Sequence, residues 1–157
     1  MIVVADTSPL HVLVRIEQVE LLPVLFGEVW VPSRVAQELS TARSRLVRDF
    51  IAQPPAWLKV HDPQVIETIP SIDAGEEAAI SWARELNSDL LLIDDLAGRR
   101  AAQSRGILII GTLGVLERAA YRGVVNLRQT FDKVRHTDFY ASEELLQMIL
   151  ERFEQRS

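Results

Sequence analysis

The chain contains no cysteine. This absence excludes a disulfide framework, a cysteine-ligated zinc site and a thiol nucleophile, and it leaves oxygen and imidazole as donors for any metal. Histidine is scarce as well. His11, His61 and His136 are scattered at no ligand spacing along 157 residues, and each reads as a structural or surface residue. No uninterrupted apolar run approaches the roughly 18 to 20 residues of a membrane span, and the N-terminus lacks the basic lead and small-residue cleavage site of a signal peptide. The cytoplasm is the expected location, with no membrane partner. Basic charge is not in excess either: the formal net charge is −5, which argues against a protein that coats nucleic acid indiscriminately.

What is present suits one compact domain over residues 1–157, since 48% of the residues are apolar and such a length buries a sizeable core. "MIVVA", "EVWV", "WLKV", "DLLLI" and "ILII" read as strands. The last two are apolar without alternation, the signature of strands buried on both faces of a parallel sheet. Helical patterns fall between them. Ser8 before Pro9 is a helix opening, with the hydroxyl as cap and the first helix over 9–19, followed by another turn or two through "ELLPVLF". Val35, Leu39, Ala42, Leu46, Val47 and Phe50 repeat at helical spacing and predict one helix over 33–51. "IDAGEEAAISWAREL", "LAGRRAAQSRG" and "TLGVLERAAYRG" follow, the last two with glycine stops. Beyond Gly123 only helices are predicted, "NLRQTFDKVR" and "SEELLQMILERFEQ". The expected fold is therefore α/β, a three-layer α/β/α sandwich with a parallel central sheet of four to five strands; its core spans 1–125 and its C-terminal helices 126–157.

Four acids occupy unusual places. Asp6 ends the first strand and Asp94 ends "LLLI", at the carboxyl edge where open α/β sheets place their ligand sites. Glu38, in "VPSRVAQEL", lies three residues after Val35 and four before Ala42, on the apolar face of its helix. Glu76, in "DAGEEAAI", shares the apolar stripe with Ile80 and Ala83, while Glu77 is expected to face outward with Ser81 and Arg84. Each has an ordinary explanation: a turn residue for Asp6, a capping box with Asp73 for Glu76, a helix cap in the case of Asp95 beside Asp94. Gathered at one edge, however, carboxylates repel unless protons or a cation offset them. With no cysteine and no suitably spaced histidine, the cation expected is Mg²⁺ or Mn²⁺. Carboxylate-held magnesium without a nucleophilic side chain serves phosphodiester hydrolysis. From Leu96 to Arg135 eight Arg or Lys stand against only Glu117 and Asp132, and Arg99, Arg100, Arg105 and Arg118 are candidates for holding a phosphate chain.

"VVADTSPL", "VPSRVAQEL", "DAGEEAAI", "LLIDDLAGRRAA" and "GILIIGTLGVL", in this order, resemble the PIN-domain family of metal-dependent ribonucleases, and in particular a bacterial and archaeal branch similar to the VapC-type toxins of toxin-antitoxin pairs. The likeness covers about residues 1–125. It implies that Asp6, Glu38, Glu76 and Asp94 bind Mg²⁺ or Mn²⁺ and act in catalysis, that Thr7, Ser8 or Thr112 lines the site, and that single-stranded RNA is the substrate. It also implies an antitoxin protein as partner and a homodimer. Three departures stand out: the third acid, more often aspartate, is Glu76; Ile93 replaces a hydroxyl residue before the last acid; and the doubled Asp94 and Asp95 leave both as metal ligands. A haloacid-dehalogenase-type phosphotransferase would need an aspartate where Ser8 stands, and a receiver domain would need a strand ending in lysine. The remaining alternative is a catalytically inactive PIN-like module that binds RNA or a partner protein.

Overall fold

The computed structural model describes residues 1–156. Five short apolar runs, β1 (Val3–Ala5), β2 (Val29–Val31), β3 (Leu58–Val60), β4 (Leu90–Leu92) and β5 (Ile109–Ile110), pair in parallel in the order β3-β2-β1-β4-β5. The register sets Val3 beside Val29 on one side and Leu90 on the other. Between them lie α1 (Thr7–Arg15), α2 (Leu21–Phe26), α3 (Ser33–Ser40), α4 (Arg45–Ala52), α5 (Ala74–Leu86) and α6 (Leu96–Ser104). The chain steps one way from β1 through β2 to β3, then reverses to β4 and β5, so right-handed crossovers carry the two sets of helices to opposite faces. On one face Val4, Leu91 and Ile93 pack with Ala79, Ile80 and Ala83 of α5 and Ala102 of α6. Val3, Ala5 and Leu92 alternate toward the other face and are equally buried. The reversal makes a switch point between β1 and β4, the kind of place at whose carboxyl edge open α/β sheets keep their ligand sites.

These elements belong to one compact unit, Met1–Thr112; the second, Leu113–Ser157, is described by itself. It contains most of α7 (Thr112–Tyr121), with α8 (Leu127–Arg135) and α9 (Glu143–Arg156). Leu146, Ile149 and Leu150 are buried on α9, whereas Leu145 and Met148 are exposed. Phe153 meets the Tyr121 ring edge-on at 5.0 Å, and Arg152 pairs with Glu117 at 2.7 Å. A cavity of about 510 Å³ between α8 and α9 is lined by Leu127, Leu150 and Phe153 among others. Among the described residues no helix is long and apolar enough to cross a membrane.

Three local expectations are corrected. The first helix begins at Thr7 and ends at Arg15, with Asp6 in the N-cap position making no side-chain cap bond; Ser8 caps nothing, because its hydroxyl is directed to Asp94. The single helix expected over 33–51 is two. Hydroxyls compete for carbonyls at the break: Ser40 donates to the Gln37 carbonyl at 2.6 Å and Thr41 to that of Glu38 at 3.1 Å. The Arg48 guanidinium takes the carbonyls of Ala42 and Arg43, and Ser44 caps α4 by accepting from the Val47 N–H. Leu46 is consequently exposed, and Val47 alone of that pair turns inward. Finally, α5 is not solvated along Glu77 and Ser81. With Glu85 they accept the backbone N–H groups of Ile69, Glu67 and Gln64, one turn after another, and strap the preceding loop to the helix.

Candidate metal centre

Each acid is placed by the start or end of an element. Asp6 follows β1 directly, its N–H donating to the Leu92 carbonyl at 2.9 Å, which ties the two strands at the switch point together. Its carboxylate is buried, at 5% exposure. Asp94 follows β4 and is the best-held acid: Oδ1 accepts the Thr112 N–H at 2.7 Å, and Oδ2 accepts the hydroxyls of Thr112 at 2.7 Å and Ser8 at 2.9 Å. Thr7 donates its hydroxyl to Oε2 of Glu38, and Arg34 Nε lies 3.7 Å from Oε1 of the same carboxylate. Thr7, Ser8 and Thr112 thus all serve the acids, each as a hydrogen-bond donor.

Glycines make room for three of the four carboxylates. A Cβ on Gly75, in the first turn of α5, would stand 2.6 Å from Oε1 of Glu38. One on Gly98, in the first turn of α6, would stand 2.9 Å from Oε2 of Glu76, and one on Gly111, just before α7, 3.0 Å from Oδ1 of Asp94. Glu38, Glu76 and Asp94 therefore each lie against the start of a helix later in the chain, α5, α6 and α7 respectively. The partial positive charge of those helix starts offsets part of the repulsion among the carboxylates.

The remaining repulsion is visible in the proton affinities. Burial pushes Asp6 up to about 7, against the lowering effect of the Thr7 N–H, and Asp73, Glu38 and Asp94 push it further. Burial first, then a hydrogen bond that the protonated Glu76 donates to Asp73, and the charges of Asp73, Asp6 and Asp95, push Glu76 up to about 8. Asp6, Glu38, Glu76 and Asp94 therefore share one electrostatic neighbourhood. Among the described residues no three acids are already close enough to hold an ion between them; Glu38 and Asp94 are instead drawn onto hydroxyls. The donor set still fits a hard divalent cation in kind: it is all oxygen, it contains two carboxyls that hold protons near neutrality, and it stands at a sheet's switch point.

The other candidates divide. Asp95 accepts the Gly98 N–H at 3.1 Å and caps α6, which leaves Asp94 as the strand-end acid facing the hydroxyls. Arg99 lies beside Asp94: the point a Gly111 Cβ would occupy is 3.5 Å from its Nη1. Arg100 is exposed. Arg105 is committed elsewhere, gripping Glu67 at 2.5 and 3.2 Å and the Ala101 carbonyl at 3.0 Å, which fastens the strapped loop to α6. Arg118 belongs to the second unit. Two residues near the acids escaped sequence reasoning. Arg34 carries no signal beyond its spacing of four from Glu38. Asp73 had one, the capping box, and it does accept the Glu76 N–H at 2.8 Å; its charge nonetheless reaches Asp6. The His61 ring meets that of Trp30 at 5.4 Å with the planes tilted by 41°, and His136 Nδ1 meets the Asp132 carbonyl at 2.7 Å, so both have structural contacts.

A family model described as a PIN domain matches residues 2–155 of the chain. Among solved structures, a PilT N-terminus domain protein from the hyperthermophilic archaeon Sulfolobus solfataricus P2 is similar with a TM-score of 0.51 and 12% identity. The match covers 90% of this chain and 100% of that one. At such identity the likeness speaks for the fold alone. No curated protein matches the chain.

Proposed function

The chain belongs to the PIN-domain family, whose members are commonly metal-dependent nucleases, and from that premise we propose that it is a Mg²⁺- or Mn²⁺-dependent endoribonuclease acting on single-stranded RNA. The observation that carries this reading is the shared neighbourhood of Asp6, Glu38, Glu76 and Asp94 at the switch point, in which two carboxyls are raised to about 7 and about 8. These four side chains would hold the cation. One or two such ions, when bound, supply Lewis acidity toward a phosphodiester and an activated water.

The chain's own residues supply the rest. Asp6 and Glu76 hold protons near neutral pH and would have to give them up to a bound cation, which would couple loading to pH. Ser8 and Thr112 fix the orientation of Asp94, and Thr7 that of Glu38, as hydrogen-bonding partners do for ligating carboxylates. Arg99 beside Asp94 and Arg34 beside Glu38 flank the acids and would hold the phosphate chain in register. By likeness to the VapC-type toxins, the same reading extends to a toxin with a cognate antitoxin and to a homodimer, for which the exposed Leu145 and Met148 of α9 offer apolar surface.

The decisive experiment incubates the purified chain with end-labelled single-stranded RNAs in Mn²⁺, in Mg²⁺ and in EDTA, beside Asp6→Asn and Asp94→Asn. Internal cleavage that needs the ion and disappears in both variants is the expected result. Cleavage that persists in Asp94→Asn, or none across a varied RNA panel in Mn²⁺, overturns the proposal.

A further inference from the structure

The glycines of the first unit fall into two kinds. Gly27 and Gly106 have φ of +78° and +75° and nothing within 4 Å of a would-be Cβ, so the backbone conformation requires them. Gly75 is different. It is buried in the first turn of α5 and its φ is not positive, so nothing in the backbone forbids alanine. Glycine is also among the poorest helix formers, and alanine the best. The reason for a glycine must be what a side chain would strike. The three nearest atoms to its would-be Cβ all belong to one carboxyl: Oε1 of Glu38 at 2.6 Å, Oε2 at 2.7 Å and Cδ at 2.9 Å.

We propose that Gly75 is a positioning residue of the cation site: by presenting no side chain, it fixes where the Glu38 carboxylate rests and so sets the site's affinity for a divalent cation. The proposal rests on the reading of the four acids as that site. Glu38 comes from α3 and must reach across to α5; Thr7 holds its Oε2 from one side, and Arg34 stands 3.7 Å from Oε1. The α5 backbone is the wall it comes to rest against. A methyl group there cannot be absorbed by α5, but it can be absorbed by the end of the flexible Glu38 side chain, which swings away and leaves Thr7. The cost then falls on ligand geometry and not on the fold. Gly98 makes similar room for Glu76, but its would-be Cβ also strikes Ile93 Cδ1 at 2.7 Å, so Gly75 gives the cleaner test.

The test compares Mn²⁺ affinity, by electron paramagnetic resonance or calorimetry, with apo melting temperature in wild type, Gly75→Ala, Glu38→Asp and the double variant. Gly75→Ala should lose at least about ten-fold in Mn²⁺ affinity while the apo melting temperature holds or rises, since alanine favours the helix. Shortening the acid gives the methyl room, so in the Glu38→Asp background Gly75→Ala should cost much less affinity, a coupling that a purely structural glycine would not show. Equal Mn²⁺ affinity in Gly75→Ala and wild type overturns the proposal, as does the same loss in both backgrounds. Should Gly75→Ala lower the apo melting temperature, Glu38→Ala decides: the loss should vanish there, and its persistence makes the glycine a matter of fold alone. A wild-type chain that binds no Mn²⁺ is a separate outcome, which defeats the cation reading and this proposal with it.

Discussion

Ser8, in the first turn of α1, donates its hydroxyl to Oδ2 of Asp94, two residues beyond β4, at 2.9 Å. One hydrogen bond thus joins the two sides of the switch point through the best-held acid of the site. A bond to a charged acceptor, partly shielded from water, contributes about 1–2 kcal/mol. Ser8→Ala should lower apo stability by about that amount in urea titration, with an unchanged denaturant slope. Asp94→Asn should cost less, because its amide oxygen can still accept the Thr112 N–H and the two hydroxyls can turn to accept from its NH₂. A Ser8→Ala chain as stable as wild type would show that the tie contributes nothing.

The raised carboxyls fix how stability varies with pH. Asp6 titrates at about 7 and Glu76 at about 8 in the folded chain, whereas unfolded carboxyls titrate near 4. Between those values the folded state binds more protons than the unfolded one, so stability falls as pH rises from about 4 to about 8 and levels off above. Glu67, lowered chiefly by its hydrogen bond from Arg105, acts in the opposite sense and loses its contribution on acidification. Apo melting temperatures should therefore be higher at pH 5 than at pH 8, and Asp6→Asn should flatten the slope. A melting temperature that rises steadily from pH 5 to pH 8 would contradict this.

On the proposed reading, cation and protons would compete for the same oxygens. Mn²⁺ in millimolar amounts should raise the melting temperature by binding the folded chain only, a stabilisation of about 2.7 kcal/mol at a hundred times the dissociation constant. The increment should be larger at pH 8 than at pH 6, since Asp6 and Glu76 must first lose their protons. Asp6→Asn should be at least as stable as wild type without metal and lose most of the increment. A metal response independent of pH would place the ion elsewhere.

The strands and the places of the four acids in the fold were legible in the sequence because each rested on a local signal: an apolar run marks a doubly buried strand, and an acid at its end or on an apolar helix face stands out. What was not legible depended on partners distant in the chain. Ser8 looked like a helix cap, and only the arrival of Asp94, 86 residues later, gives its hydroxyl a better acceptor. Glu77 and Ser81 looked solvated because their partners are backbone N–H groups of a loop, which have no sequence signature. The helix expected over 33–51 broke because Ser40, Thr41, Ser44 and Arg48 together satisfy the freed backbone groups, whereas periodicity registers only apolar residues. Gly75 and Gly98 carry no sequence signal of their own, since the carboxylates they accommodate come from other elements.

Arg99 and Arg105 lie six residues apart in and just after one helix, both candidates for binding RNA, and the structure gives them different work. Arg105 grips Glu67, its side chain only 20% exposed, and through Glu67 also engages Arg84. Its guanidinium is saturated, and drawing it toward a phosphate would forfeit those bonds. Arg105→Ala should therefore leave RNA affinity and its salt dependence near wild type while speeding hydrogen exchange at Glu67 and Ile69, whose N–H groups the strapped loop presents to α5. Arg99 lies beside Asp94, where a phosphate held for cleavage would also lie. Arg99→Ala should weaken RNA binding at every salt concentration and reduce the slope of log affinity against log salt by about one. Filter binding of a non-cleavable RNA to both variants from low to moderate salt separates the two roles. Equal losses in the two would mean that the basic residues act as a diffuse field, and a loss confined to Arg105→Ala would place the RNA along the α6 flank near Glu67 instead of at the acids.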